Sequence, residues 1–320
     1  MTPQSTQARA DATPVMKSSH DAWIQADPKT FGERFNQKTF EVRHTLTQHP
    51  AFQLSALVEL AGRMLQTNPR FIHCDTETKL GVGDGAAART NRFLDVVNVM
   101  ERIENSGAWL ILYHAESDPM YREVFDHGLA DIKRAIGHDI ENDIMDQEII
   151  IFVTSPNRVT HYHIDKNVNF LLQVHGSKTI HVFDRFDRDV LTEEEIERNW
   201  TVSDKAPPYR EHLQSRATTF HLQPGTGCHI PVNAPHWLKN DNNVSVSLSV
   251  NFTYKDRCLA SIHRANYFLR RAGLNPTPPG QSPMKDRLKA MMAPSVMGAM
   301  NAYWRTRHGD NADKHTNKMT

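Results

Sequence analysis

The chain has 320 residues, of which 39% are hydrophobic, and its 37 lysines and arginines equal its 37 aspartates and glutamates in number. This length and composition predict one large globular domain, or one such domain with a helical appendage. The zero formal charge gives no electrostatic footprint for nucleic acid or an anionic membrane, so we expect neither as a partner.

The cysteines and the amino terminus indicate the cellular compartment in which the protein is expected. Cys74, Cys228 and Cys258 are far apart and odd in number, which indicates neither a disulfide framework nor a CxxC zinc site. No stretch approaches the ~20 apolar residues that cross a bilayer. The polar amino terminus lacks the apolar core of a secretion signal. We therefore expect a reduced, cytoplasmic protein.

The first half of the chain predicts a mixture of helices and strands. Residues 1–20 are rich in Thr, Gln, Ser and Ala and lack periodicity, which predicts disorder. The segments "KTFEVRHTL" and "AWLILYHA" predict strands, and the glycine-rich "LGVGDGAAAR" lacks the spacing of a phosphate-binding motif and predicts a loop. Helices are predicted for "LSALVELAGRML", "RFLDVVNVMERI" and "MYREVFDHGLADIKRAI".

The second half predicts a β-sandwich or barrel, because short β-runs follow one another between turns. These runs are "EIIIFVT", "NFLLQVHG", "KTIHVFD", "TTFHLQ", "CHIPV" and "VSVSLSVNFTY". The charged segment "RDVLTEEEIERNW" predicts a helical insertion among them. Beyond Lys255, "CLASIHRANYFLRRAG" and "MKDRLKAMM" predict helices on either side of the breaker-rich linker "NPTPPGQSP".

One β-rich stretch, "VTHYHIDKNVNFLLQVHGSK", concentrates polar side chains. It places His161, His163 and Asp165 at alternate positions directly before an apolar strand. Residues two apart in an extended strand project to the same face, so these side chains would lie together. Burying this much polarity requires partners, and a metal ion is one candidate. The HxD pattern alone is a weak signal in a chain with 18 histidines.

A second segment, "PGTGCHIPVNAPHWLKN", offers a distant third ligand, His236. Two neutral imidazoles and one carboxylate on one face of an octahedral Fe(II) leave the opposite positions open for substrate and dioxygen. We expect His163 and Asp165 on one barrel wall and His236 on another, because the walls face each other across the interior. His161 and His229 are rival ligands.

The combined spacing is more specific than HxD alone. Lys178 follows His163 by fifteen residues, and Asn251 follows His236 by the same interval. Across roughly residues 109–254, the block "THYHIDKNVNFLLQVHGSK…PGTGCHIPVNAPHW…VSLSVNF" resembles the JmjC and cupin-like family of iron and 2-oxoglutarate oxygenases. The resemblance is strongest to the branch that contains the asparaginyl hydroxylases.

This resemblance implies a mainly β fold with flanking helices, in which a double-stranded β-helix (jelly-roll, cupin/JmjC-like) core is followed by carboxy-terminal helices. The implied domains are a disordered amino terminus (1–20), a catalytic domain with an amino-terminal α/β elaboration (21–255), a helical extension (256–307) and a disordered tail (308–320). Related oxygenases often dimerise through a carboxy-terminal helix pair, which implies a homodimer. The alternative for these helices is an ordinary amphipathic packing face.

The resemblance also implies the metal ligands. His163, Asp165 and His236 match the catalytic iron ligands of the family.

Five further positions match co-substrate contacts. Lys178 would form the ion pair with the distal carboxylate of 2-oxoglutarate, and Thr160 would hydrogen-bond the same group. Asn169 and Asn251 match positions near the co-substrate and the metal, and Tyr113 matches a further hydroxyl contact more loosely. Without the resemblance, a lysine after Gly-Ser is more simply a hairpin-turn residue.

The predicted function is an Fe(II)- and 2-oxoglutarate-dependent hydroxylase that uses O2 and acts on a protein or peptide side chain or a small amino-acid-like metabolite. One alternative is a non-catalytic cupin-like protein that binds a ligand without iron chemistry. Another is a metal-dependent cupin enzyme that does not use 2-oxoglutarate, although the presence of Lys178 and Thr160 argues against it.

Overall fold

The structure, a computed structural model, describes residues 22–76, 95–136, 144–202, 207–254 and 257–292. The predicted disordered ends, 1–20 and 308–320, and the predicted glycine-rich loop lie outside the described residues. No helix among the described residues is long and apolar enough to cross a membrane.

Within the described residues, strands form two antiparallel sheets. The strands are β1 (Ile24–Gln25), β2 (Phe40–His44), β3 (Ile72–Asp75), β4 (Trp109–Leu112), β5 (Ile144–Thr154), β6 (Val159–His163), β7 (Val168–His175), β8 (Lys178–Val182), β9 (Thr218–Leu222), β10 (Thr226–Ile230), β11 (His236–Asn240) and β12 (Ser245–Tyr254). The larger sheet has the order β1-β2-β10-β7-β12-β5-β4-β3, and the smaller sheet has the order β6-β11-β8-β9.

The strands from β5 to β12 form a jelly roll. Strands β5, β7, β10 and β12 lie side by side in the larger sheet, and β6, β8, β9 and β11 make up the smaller one. Apart from the β8–β9 pair, successive strands therefore alternate between the two sheets, and every strand pair among them is antiparallel. This arrangement is that of a double-sheet jelly roll, so the predicted fold class is confirmed.

Helices flank this core. They are α1 (Pro28–Arg34), α2 (Leu54–Thr67), α3 (Val96–Glu101), α4 (Pro119–Ile136), α5 (Glu193–Thr201) and α6 (Arg257–Arg271), and residues 283–292 are also helical. The predicted insertion helix begins as α5 at a capping box, in which Thr192 accepts from the Glu195 backbone and Glu195 accepts from that of Thr192.

Two apolar cores lie on opposite faces of β7. Phe170 and Leu172 join the larger core, which packs helices α1, α2 and α4 against the outer face of the larger sheet. Leu171 points the other way, into a smaller core between the sheets with Ile180 and Leu238. The alternation of side chains along a strand separates these two sets. Because both faces are covered, β7 is buried from Val168 to Val174.

Four of the labelled elements, β1, β3, β11 and α1, are not among those predicted from the sequence. All four are short, and none of the predicted β-runs covers β11, although His236 was expected on a barrel wall. Strand β11 lies between β6 and β8 and forms backbone pairs with both. Its conformation is therefore stabilised by pairing with distant residues, which local sequence patterns do not reveal.

Candidate metal and co-substrate site

A cavity of about 450 Å³ lies between the two sheets. It brings together all of the site residues predicted from the sequence. They are Tyr113, Thr160, His163, Asp165, Asn169, Lys178, His236 and Asn251.

Three of these side chains converge at one end of the cavity. The Nε2 atoms of His163 and His236 lie 3.8 and 3.6 Å from the two carboxylate oxygens of Asp165. One candidate ligand atom from each residue lies within 4.8 Å of the other two. The three side chains therefore surround a volume that one ion can fill.

The route by which the fold assembles this triad differs from the expected one. His236 on β11 is the direct cross-strand partner of His163 on β6, so the two histidines are neighbours in the smaller sheet. The prediction that facing barrel walls bring them together was wrong. Asp165 follows the end of β6, where its backbone carbonyl accepts a hydrogen bond from the Asn233 amide at 2.9 Å.

Backbone carbonyls orient both imidazoles. His163 donates from Nδ1 to the carbonyl of His161 at 2.7 Å, and His236 donates from Nδ1 to the carbonyl of Ala234 at 2.9 Å. Because Nδ1 carries the proton in each ring, both Nε2 lone pairs are available and face Asp165. Burial lowers the pKa of His163, and the neighbouring His236 lowers it further, which favours the neutral ring. Two imidazoles and a carboxylate held in this way fit Fe(II).

A β-bulge explains how Thr160 reaches the same cavity. Thr160 lies three residues before His163, and strict alternation would turn it to the opposite face. The register between β6 and β11 shifts after the His236–His163 pair, so that Leu238 pairs with Thr160. Both Thr160 and His161 consequently line the cavity.

Lys178 occupies the far end of the cavity. It is the first residue of β8, the second strand after the HxD pair. Its cross-strand partner is Asn240, four residues beyond His236 on β11. At the rise of a β-strand, this separates the Lys178 and His236 rows by ~13 Å along the sheet.

The environment of Lys178 is unusual for a charged residue. The side chain is buried, 5% of the residue being exposed, and no acidic group lies within ion-pair distance among the described residues. Burial lowers the pKa of the ammonium to about 7. The preceding turn does contain Gly176 with a φ of 67°. This turn connects β7 of the larger sheet to β8 of the smaller sheet and is not a β-hairpin, so the hairpin-turn alternative for Lys178 is wrong, and Lys178 lines the cavity.

The larger sheet contributes a polar row that faces the triad. Asn169, Asn251 and Glu148 are successive cross-strand neighbours on β7, β12 and β5, and all three line the cavity. The sequence analysis missed Glu148, whose only local signal is a charged residue at the start of the apolar run "EIIIFVT". Burial raises the pKa of Glu148, and nearby His114 partly offsets that rise.

The structure separates the two rival histidines. His229 is fully buried on the outer face of the larger sheet, where its Nε2 accepts from the Asn36 amide at 2.9 Å and its Nδ1 donates to the Asn169 carbonyl at 3.2 Å. Both ring nitrogens are thus engaged away from the cavity. His161 lines the cavity, with its ring 5.5 Å from that of His163, and does not join the converging set.

Comparisons with known proteins find neither a matching family model nor a matching curated protein. Among solved structures, YcfD, a ribosomal oxygenase from Escherichia coli, is similar at a TM-score of 0.42 and 14% identity, over 85% of this chain and 67% of that one. YcfD in complex with cobalt and 2-oxoglutarate gives a TM-score of 0.41 and 16% identity, over 84% and 66%. This chain spans about two thirds of the length of YcfD. Similarity this low carries no argument about chemistry.

Proposed function

We propose that the protein is an Fe(II)- and 2-oxoglutarate-dependent oxygenase, most simply a hydroxylase. One observation carries the proposal. Two imidazole lone pairs and a carboxylate converge at one end of a cavity whose other end holds a buried ammonium without an acid partner among the described residues. A buried cation in such a place requires an anion, and a dicarboxylate that also reaches the metal satisfies both ends.

The chain's own residues would bind and orient the reactants. His163, Asp165 and His236 would hold the iron, which together with 2-oxoglutarate supplies the activation of dioxygen. Lys178 would pair with the distal carboxylate of 2-oxoglutarate, and the hydroxyl of Thr160 would donate a hydrogen bond to it.

The remaining cavity wall would exclude water and add contacts. Ile150, Phe152 and Leu171 contribute apolar surface between the two ends of the cavity. Asn169, Asn251 and Tyr113 would make polar contacts near the metal and the co-substrate.

The identity of the oxidised group is part of the proposal. A protein or peptide side chain or a small amino-acid-like metabolite fits a cavity of this volume beside the metal. The sequence resemblance to the branch of the asparaginyl hydroxylases favours a peptide, and this remains a prediction.

An anaerobic titration tests the proposal. Fe(II) and 2-oxoglutarate added together should produce a weak visible charge-transfer band, and admission of air should then release succinate. A band with succinate release supports the assignment. Metal binding without the band or succinate would indicate a metal-dependent cupin enzyme that does not use 2-oxoglutarate. Absence of metal binding would indicate a non-catalytic binding protein.

We further propose a homodimer formed through the carboxy-terminal helices, in a reducing cytoplasm. The helix at 283–292 leaves Met284, Leu288 and Met291 exposed at helical spacing, which supports a contact surface. Light scattering should report twice the monomer mass, and Leu288→Glu should reduce it to that of the monomer.

Cys74 and Cys228 are buried and unpaired, in agreement with a reducing compartment.

A further inference from the structure

Glu148 lies on the wall that faces the metal triad. It is the cross-strand neighbour of Asn251 on the larger sheet and lines the same cavity as His163, Asp165 and His236. A group bound beside the metal would therefore meet the Glu148 carboxylate.

The other charged groups of the cavity already have partners or assigned roles. Asp75 forms an ion pair with Arg158 at 2.7 Å. The Lys166 ammonium lies 5.7 Å from the centre of the Trp200 ring. Asp165 belongs to the metal triad.

The charges of the loaded site also balance without Glu148. A divalent metal, doubly negative 2-oxoglutarate, Asp165 and Lys178 sum to zero formal charge. Glu148 is then the acid of this cavity that has no lysine or arginine partner among the described residues.

A short chain of contacts holds Glu148 in place without using up its hydrogen-bonding capacity. The Ile149 amide donates to Glu116 at 2.8 Å, and Glu116 lies 3.1 Å from Nδ1 of His114. The opposite nitrogen of His114 is 3.6 Å from the Glu148 carboxylate. That distance is too long for a hydrogen bond, so the carboxylate oxygens can still accept bonds from a ligand.

We infer that Glu148 selects a substrate bearing a cationic group, either an ammonium or a guanidinium, and holds that group beside the metal. The inference rests on the proposed function and adds the chemical class of its substrate. A partly buried carboxylate binds a cation with hydrogen-bond donors tightly, because the two charges compensate each other. It binds a neutral isostere weakly, because the carboxylate charge then stays uncompensated.

The test measures succinate formation from 2-oxoglutarate with matched probes. Free L-arginine and L-lysine are compared with the neutral isosteres citrulline and norleucine, and the acetyl-Gly-X-Gly-amide peptides with the same four side chains form a second arm. Cationic probes should raise succinate release above its basal rate at least about tenfold more than their isosteres do. The arm that responds identifies a free amino acid or a peptide as the source of the cation.

Variants assign the effect to Glu148. Glu148→Gln should lose most of the stimulation by cationic probes while retaining the charge-transfer band, and Glu148→Asp should retain part of the stimulation. Asp146→Asn, which removes an exposed carboxylate two residues earlier on β5, should behave as the wild type does. Equal stimulation by isosteres, stimulation that survives Glu148→Gln, or no stimulation by any cationic probe would overturn the inference. The proposed function fails separately, through absence of the band and of basal succinate in the wild type.

Discussion

At the metal end of the cavity, the Nδ1 atoms of His163 and His236 bond to backbone carbonyls, whereas at the far end the Lys178 ammonium has no acid partner among the described residues. At the candidate metal end, the fold itself orients both imidazoles. The far end contains a buried charge whose cost is relieved only when an anion arrives. The two ends are therefore prepared for a ligand in different ways. One end has side chains that are already oriented, and the other has a buried charge that lacks a counter-ion.

This difference predicts how each end responds to substitution. Changes at the metal end should remove binding and leave stability largely unchanged, because the side chains there are already oriented. Replacing Lys178 should weaken co-substrate binding and also stabilise the unloaded protein. The following variants test this contrast, from the largest expected effect to the smallest.

Asp165→Ala should have the largest effect, since it removes the only anionic member of the triad. We expect Fe(II) affinity to fall more than about 100-fold and succinate formation to disappear, with little change in unfolding. Metal titration and turnover measure this, and Asp146→Ala on β5 is the matched exposed control. Full 2-oxoglutarate turnover in Asp165→Ala would disprove the ligand assignment.

Lys178→Met should weaken 2-oxoglutarate binding about 100-fold, because the distal carboxylate would lose its buried cation. Fe(II) affinity should remain at the wild-type value, which separates the two ends of the cavity. Calorimetric titration with 2-oxoglutarate checks both statements. Lys239→Met, an exposed lysine on neighbouring β11, is the control and should leave both affinities unchanged. An unaltered 2-oxoglutarate affinity in Lys178→Met would contradict the assigned role.

His229→Leu should destabilise the protein by about 2–4 kcal/mol, because it removes the hydrogen-bond partner of the partly buried Asn36 amide and that of the buried Asn169 carbonyl. Denaturant unfolding measures this loss, and exposed His221→Leu serves as the control. Fe(II) affinity of the folded variant should match that of the wild type. A clear fall in affinity would restore His229 as a ligand.

The pH dependence of stability should report the burial of Lys178. Its pKa is lowered from 10.5 to about 7 on folding, so the destabilisation is fully present below about pH 7 and disappears as the pH rises toward 10.5. Lys178→Met should therefore be more stable than the wild type at pH 7 by about 2–4 kcal/mol, and the gap should narrow toward pH 10. Unfolding of both unloaded proteins across this range measures the gap. A constant gap would show that Lys178 is not buried as described.

Thr160→Val should have the smallest effect, about a tenfold loss of 2-oxoglutarate affinity, because one hydrogen bond to a charged group is removed while Lys178 remains. Calorimetric titration compares it with Thr218→Val, an exposed threonine on β9. If Thr160→Val retains the wild-type affinity, the bulge on β6 has no role in co-substrate binding.

Most residues of the candidate site could be predicted from the sequence, because the ability to bind a metal or an anion depends on residue type. His163 and Asp165 alternate within a β-run, and the spacing of Lys178 and His236 resembles that of the JmjC and cupin-like family, so these residues could be predicted as candidates for the site. The β-runs after residue 148 also predicted a sandwich or barrel, since alternation and turns are local properties of the chain.

Local sequence patterns did not predict the features that depend on strand pairing between distant segments of the chain. Strand β11 and the adjacency of His236 to His163 depend on backbone bonds to β6 and β8, which leave no periodic signal. The bulge that turns Thr160 into the cavity is likewise a property of the strand pair.

By itself, the sequence determined the chemical identity of the groups that can bind a metal and an anion, because the chemistry of a side chain depends only on its residue type. Only the tertiary structure decided which groups share a cavity. The structure excludes His229 as a candidate ligand, because both of its ring nitrogens are hydrogen-bonded away from the cavity. It also places Glu148 in the cavity wall opposite the triad. Burial and orientation of this kind arise from packing between segments far apart in the chain.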